Sequence, residues 1–163
     1  MLQNFLKQNK EVLLQDWIDQ TINTYNPEMI RFLKKEKNQF SNPVRNTIIT
    51  SLEKIYDSLL GDEGINDDKG VEEIIKVRAV QDFSPSDALA FIFDLKIIIR
   101  TKYSESDQDS ESMDEFYNID NRFDLLFKKA FDIYNDCRMK IQDIKISEIK
   151  SRSERAFERL NKQ

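Results

Sequence analysis

Phe116-Tyr117-Asn118-Ile119-Asp120-Asn121-Arg122-Phe123-Asp124-Leu125-Leu126-Phe127-Lys128-Lys129-Ala130-Phe131-Asp132-Ile133-Tyr134-Asn135-Asp136-Cys137 is the stretch that decides the fold. Phe116, Ile119, Phe123, Leu126, Ala130, Ile133 and Cys137 alternate steps of three and four, and Ile141 and Ile144 carry the series on. Such spacing draws one apolar stripe along a helix and suits a long helix laid against another. Neither glycine nor proline occurs from Phe116 to Gln163. After Ile149 the stripe thins, and Lys150, Arg152, Arg155, Arg159 and Lys162 dominate, interleaved with Glu148, Glu154 and Glu158. Opposite charges at helical spacing limit self-repulsion on a solvated helix. The expected organisation is a domain over 1–149 and a charged helical extension over 150–163.

Upstream of this helix, Ser104 to Glu115 holds six acids and no base, which predicts an exposed loop. From Ala88 to Ile99 the chain is apolar on nearly every face. Its length and its cap predict a helix rather than a strand, placed mid-domain or at an oligomer interface. All three glycines, Gly61, Gly64 and Gly70, fall in one stretch that reads as a loop. The three prolines follow Asn26, Asn42 and Ser84, so each predicts a helix start with proline in the first turn and a capping side chain before it. Between these marks Val44, Ile48, Leu52, Ile55 and Leu59 predict one helix, and Val71, Ile74, Ile75 and Arg78 another that runs to about Phe83. At the N-terminus Leu2, Phe5, Leu6, Asn9, Val12, Leu13, Trp17, Thr21 and Tyr25 form a single stripe. The fold class is all-α.

Composition narrows the chemistry. The 163 residues contain no histidine, which removes imidazole general bases, histidine-ligated haem and imidazole zinc sites. A single cysteine, Cys137, forms no intrachain disulfide and sits on the apolar stripe as a small core side chain. Paired carboxylates such as Glu72-Glu73 lack the histidines of a dinuclear bundle site, and no glycine-rich phosphate cradle exists. No catalytic constellation, cofactor or metal is expected. The net charge of −5 argues against nucleic acid. No apolar window reaches the ~20 residues of a membrane span, and the N-terminus lacks a signal-peptide pattern. The expected compartment is the cytoplasm.

Arg78-Ala79-Val80-Gln81 followed by Ser84-Pro85, within Ile75 to Lys96, resembles the N-terminal domain of the RsbT co-antagonist proteins of bacterial stressosomes, the RsbRD variety in particular. Phe5 to Trp17 fits the same family, and Asp120-Asn121-Arg122-Phe123 is a further echo. The resemblance implies a globin-like fold without haem, a homodimer, and a signal-input role. In stressosome proteins such a domain precedes a phosphorylatable STAS domain. The sequence leaves open whether this chain is a free-standing member or a fragment. Candidate dimer or partner contacts are Phe5, Trp17, Phe123, Leu126, Ala130, Ile133, Cys137 and Ile141, with an unidentified signalling protein as partner. The competing reading is a free-standing helical adaptor that binds another assembly without sensing a ligand.

Overall fold

In the computed structural model, which describes residues 1–35, 37–38, 40–60, 69–106 and 113–162, every regular element is a helix. They are α1 (Leu2–Gln8), α2 (Lys10–Asn23), α3 (Pro27–Lys35), α4 (Pro43–Leu60), α5 (Lys69–Ala79), α6 (Pro85–Ser104) and α7 (Met113–Asn161). All three prolines open helices. Asn26 Oδ1 accepts from Met29 N at 2.9 Å, Asn42 Oδ1 from Arg45 N at 3.0 Å, and Ser84 Oγ from Asp87 N at 3.2 Å. Each cap satisfies an amide that the first helical turn leaves unpaired.

The helix that carries the N-terminal stripe is interrupted at Asn9, between α1 and α2. Asn9 offers both its backbone N and its Nδ2 to Phe5 O, each at 2.9 Å, and adopts φ −104°, ψ 12°. An asparagine side chain that shares a helical carbonyl with the backbone favours a turn at that point. Leu2, Phe5, Leu6, Leu13, Trp17, Thr21 and Tyr25 of the stripe are buried, joined by Leu14 and Ile18, while Val12 is exposed. The glycine stretch also divides. Residues 61–68 lie outside the described residues, but Gly70 is a buried member of α5. A Cβ at Gly70 would stand 3.0 Å from Lys54 Cβ and from Ser51 O, so its missing side chain lets α4 and α5 approach closely. Helix α5 stops at Ala79, short of the expected Phe83, in a turn in which Gln81 N donates to Arg78 O. Of the acidic stretch, Ser104 and Met113–Glu115 are helical and Glu105 and Ser106 lie in a turn, while residues 107–112, on which the loop reading mainly falls, lie outside the described residues.

Helix α6 packs between α2 and α7, and α5 packs between α4 and α7. A single core joins them, with Trp17, Phe91 and Phe123 among its largest enclosed side chains. Trp17 Nε1 donates to Phe91 O at 2.6 Å and its ring stacks on that of Phe91 at 6.2 Å. Phe5, Tyr103 and Phe116 form an edge-to-face run from α1 across α6 to α7, at 5.2 and 5.1 Å. The expected all-round burial of α6 is incomplete: Phe93 and Ile97 face outward, 43% and 59% exposed.

Candidate functional site

Two features are placed to matter for function, a buried arginine and the long last helix. Arg78 occupies an apolar step of the α5 stripe, after Val71, Ile74 and Ile75, and is wholly enclosed. Its Nε donates to Ala88 O at 2.6 Å, Nη2 to Asp87 O at 2.9 Å and Nη1 to Thr24 Oγ1 at 3.2 Å. The guanidinium also lies over the rings of Phe83, Tyr25 and Phe91, at 4.4, 5.2 and 5.6 Å. Planar stacking together with several donors is what distinguishes arginine from lysine in such a position. Burial pulls the guanidinium pKa below its ordinary value, opposed by Tyr25, Asp94 and Asp87. Burial raises the Tyr25 phenol, with Arg78 holding it back. The Asp94 carboxyl is also raised by burial, against a hydrogen bond from Gln20 and the charge of Arg78. One side chain thus ties the end of α2, the end of α5 and the first turn of α6 together. Sequence reading singled out Arg78 as part of a motif and gave it no role, although a charge on an apolar step was the available signal.

Helix α7 is fastened to this hub and to the α4–α5 pair. Arg138 Nη1 donates to Ala79 O at 3.0 Å, one residue beyond Arg78. Arg122 Nη1 donates likewise to Leu59 O at 3.0 Å. Both acceptors are carbonyls in the final turn of a helix, where no intrahelical amide is left to bond them. Asp120 pairs with Lys96 at 3.1 Å and with Arg100 of α6. Glu115 accepts from the Met1 amine at 2.8 Å and from Gln3 N at 3.2 Å, and that bonding lowers its carboxyl pKa. The residues Asp120-Asn121-Arg122-Phe123 therefore hold an ion pair, a helix cap and a core ring in four consecutive positions.

The interface candidates divide. Phe5, Trp17, Phe123, Leu126 and Ala130 are enclosed in the globule. Their surface is covered by α2, α4, α5 and α6 before any second chain arrives. Ile133, Cys137 and Ile141 are half-buried at the edge of that core. Burial along α7 stops at Ile141. From Gln142 to Lys162 every residue is exposed, including Ile144, Ile149, Phe157 and Leu160.

Among the described residues no group of three or more carboxylate or cysteine side chains is placed to hold a metal ion. A cleft of about 120 Å³ between α1, α2 and α4 is lined by Leu6, Lys7, Lys10, Tyr56, Asp57 and Leu60. The Lys10–Asp57 ion pair crosses it, and Tyr56 OH donates to Leu6 O at 3.0 Å. Burial pushes the Tyr56 phenol pKa up, with Asp57 adding to the rise. No described helix is long and apolar enough to cross a membrane.

Against known proteins, a family model described as the RsbT co-antagonist protein rsbRD N-terminal domain matches residues 11–146. No curated protein and no solved structure matches the chain. The matched segment holds α2 to α6, the Arg78 hub and the globular half of α7.

Proposed function

The chain belongs to the family of RsbT co-antagonist rsbRD N-terminal domains, and from that membership we propose that it is a homodimeric signal-input module acting through α7 on a partner protein. The family is one of regulatory stressosome components. The observation that carries the proposal is that α7 runs 49 residues without interruption from a buried core into open solvent. A helix held by packing over its first half moves as a rigid arm over its second, so a small shift at the globule becomes a larger displacement at the far end. The fastenings of that arm are Asp120 on α6, Arg122 on the end of α4 and Arg138 beside the Arg78 hub. An input that loosens or retightens α2, α5 or α6 reaches α7 through these contacts. The partner is a signalling protein of the stressosome type, and the compartment is the cytoplasm.

The test is a break in the arm outside the globule. Proline in a helix interior removes a hydrogen bond and clashes with the preceding turn. Ser147→Pro should leave the melting temperature of the globule unchanged and abolish the chain's effect on kinase retention by the stressosome proteins of its own organism. An undiminished effect in the variant would refute the arm. Absence of any effect from the unmodified chain would refute the signalling role. A thermal-shift screen separates sensing from the adaptor reading, since a ligand that binds only the folded state raises its stability.

A further inference from the structure

The basic residues of this acidic chain are unevenly placed. Residues 27–45 hold five of them, Arg31, Lys34, Lys35, Lys37 and Arg45, against Glu28 and Glu36, net +3, while the rest of the chain sums to −8. Elsewhere such residues pair with carboxylates, as Lys10 does with Asp57, Lys54 with Glu73 and Lys102 with Asp16. Among the described residues none of the five makes an ion pair. Arg31 Nε turns to Pro27 O at 3.4 Å and Lys34 Nζ to Asn23 Oδ1 at 2.8 Å.

The same corner shows two rings. Phe32 is 46% and Phe40 86% exposed, although Leu33 of α3 is wholly enclosed and Met29 and Ile30 pack on the core. At 3.6 residues per turn, Arg31 lies about 40° and Phe32 about 60° around α3 from Lys35, on the side away from Leu33. Hydrogen bonds hold the corner in place. Asn38 O accepts from Ser41 N at 3.1 Å and from Asn42 N at 2.9 Å, and Asn38 Oδ1 accepts from Phe40 N at 2.9 Å. Asn42, itself buried, donates from Nδ2 to Phe32 O at 3.3 Å and caps α4 through Arg45 N. The turn that carries Phe40 is thereby fastened to the end of α3 and the start of α4. One exposed ring needs no explanation, but two displayed on an ordered corner among unpaired cations serve no purpose inside the fold.

We infer that this corner docks an acidic polypeptide segment of another protein, with its carboxylates on Arg31, Lys35 and Lys37 and an apolar side chain against Phe32 and Phe40. Rings that anchor and cations that surround them divide the work of an interface between affinity and orientation. Charge selects the class of occupant. A bilayer or a nucleic acid is an extended anion and meets the field of the whole chain, net −5. A narrow segment meets the corner alone, since exposed charges are screened beyond about 8 Å at physiological salt. The site uses no residue of α7, so it stands apart from the arm and from the homodimer reading.

Fluorescence anisotropy of the full chain tests it, with a labelled synthetic peptide of glutamates and aspartates around one phenylalanine and one leucine. The peptide should bind, and its dissociation constant should rise roughly tenfold from about 0.05 M to about 0.5 M salt. Lys35→Glu/Lys37→Glu should weaken binding by about tenfold or more, and Phe40→Ser by about fivefold, both with an unchanged melting temperature because these side chains are exposed. Lys145→Glu/Lys150→Glu, the same change of net charge on the extension, should bind as the unmodified chain does. Equal weakening by that control would mean that the peptide answers to net charge, and would overturn the corner. So would failure of the unmodified chain to bind, or undiminished binding by Lys35→Glu/Lys37→Glu. Two further probes address the other occupants. Co-sedimentation with phosphatidylglycerol–phosphatidylcholine vesicles, or tighter binding of a labelled oligothymidylate than of the peptide, would replace the polypeptide with lipid or nucleic acid. Self-association that Lys35→Glu/Lys37→Glu abolishes would replace it with a second copy of the chain.

Discussion

Between Met113 and Ile141, α7 buries Ile119, Phe123, Leu126, Ala130 and Tyr134 against its neighbours. Between Gln142 and Lys162 it carries isoleucines, a phenylalanine and a leucine at comparable spacing and buries none of them. The two halves share one backbone ladder and differ in what lies beside them. Apolar periodicity therefore reports that a helix has a face, and the neighbouring helices decide whether that face is covered. In the first half α4, α5 and α6 cover it, and two arginines and an aspartate fasten it in place. In the second half every residue from Gln142 to Lys162 is exposed.

Matched substitutions break that contrast most strongly. Phe123→Ala should cost about 3–5 kcal/mol of stability by leaving a cavity among enclosed side chains. Phe157→Ala, in the exposed half, should change the stability of the globule by no more than about 0.5 kcal/mol. Urea unfolding of the two variants side by side checks both, and similar losses would mean that the extension is part of the folded core. Arg78→Met comes next. It keeps an unbranched stem as far as the Nε position, removes the guanidinium, and leaves Ala88 O, Asp87 O and Thr24 Oγ1 without that donor, for a loss of about 2–3 kcal/mol after the relief of a buried charge. Amide exchange near Arg138 should rise in the same variant if the hub supports the exit of α7, and unchanged exchange there would separate the hub from the arm.

A smaller effect is expected at Gly70. Alanine usually improves an exposed helix, but a Cβ at 3.0 Å from Ser51 O has no room, so Gly70→Ala should destabilise by about 1 kcal/mol in thermal unfolding. A gain would show that α4 and α5 can separate without penalty. The smallest effect belongs to Glu115. Its folded pKa is depressed by the N-terminal amine, so its contribution is present above the ordinary carboxylate range and fades as pH falls through the folded value. Glu115→Gln should be slightly less stable than the unmodified chain near pH 7 and equal to it at about pH 2. A difference that persists in acid would assign the effect to packing.

Much of the fold was legible because its punctuation is local. A capping residue followed by proline fixes a helix start within two or three positions, and Asn26-Pro27, Asn42-Pro43 and Ser84-Pro85 all did so. The interruption at Asn9 was not legible, since the residue fits the stripe by spacing and shares the Phe5 carbonyl through its own side-chain amide. Gly70 read as a loop residue because the sequence does not display how near another helix passes. The buried rings of Trp17 and Phe123 were read as interface candidates for a related reason: spacing identifies an apolar face without saying which chain covers it. Arg78 offered a signal, a charge on an apolar step, but Arg122 and Arg138 were the least legible, because an arginine that caps a distant carbonyl looks, in sequence, like any solvated one.

Amide hydrogen exchange along α7, measured over a range of protein concentrations, tests most directly the claim that one helix serves as core in its first half and as an arm in its second. Residues 119–134 should be protected at every concentration, and residues 146–160 only where dimer is populated, with the two halves separating on dilution. Equal protection of both halves in dilute solution, or exposure of the second half at concentrations where the chain is fully dimeric, would contradict the account.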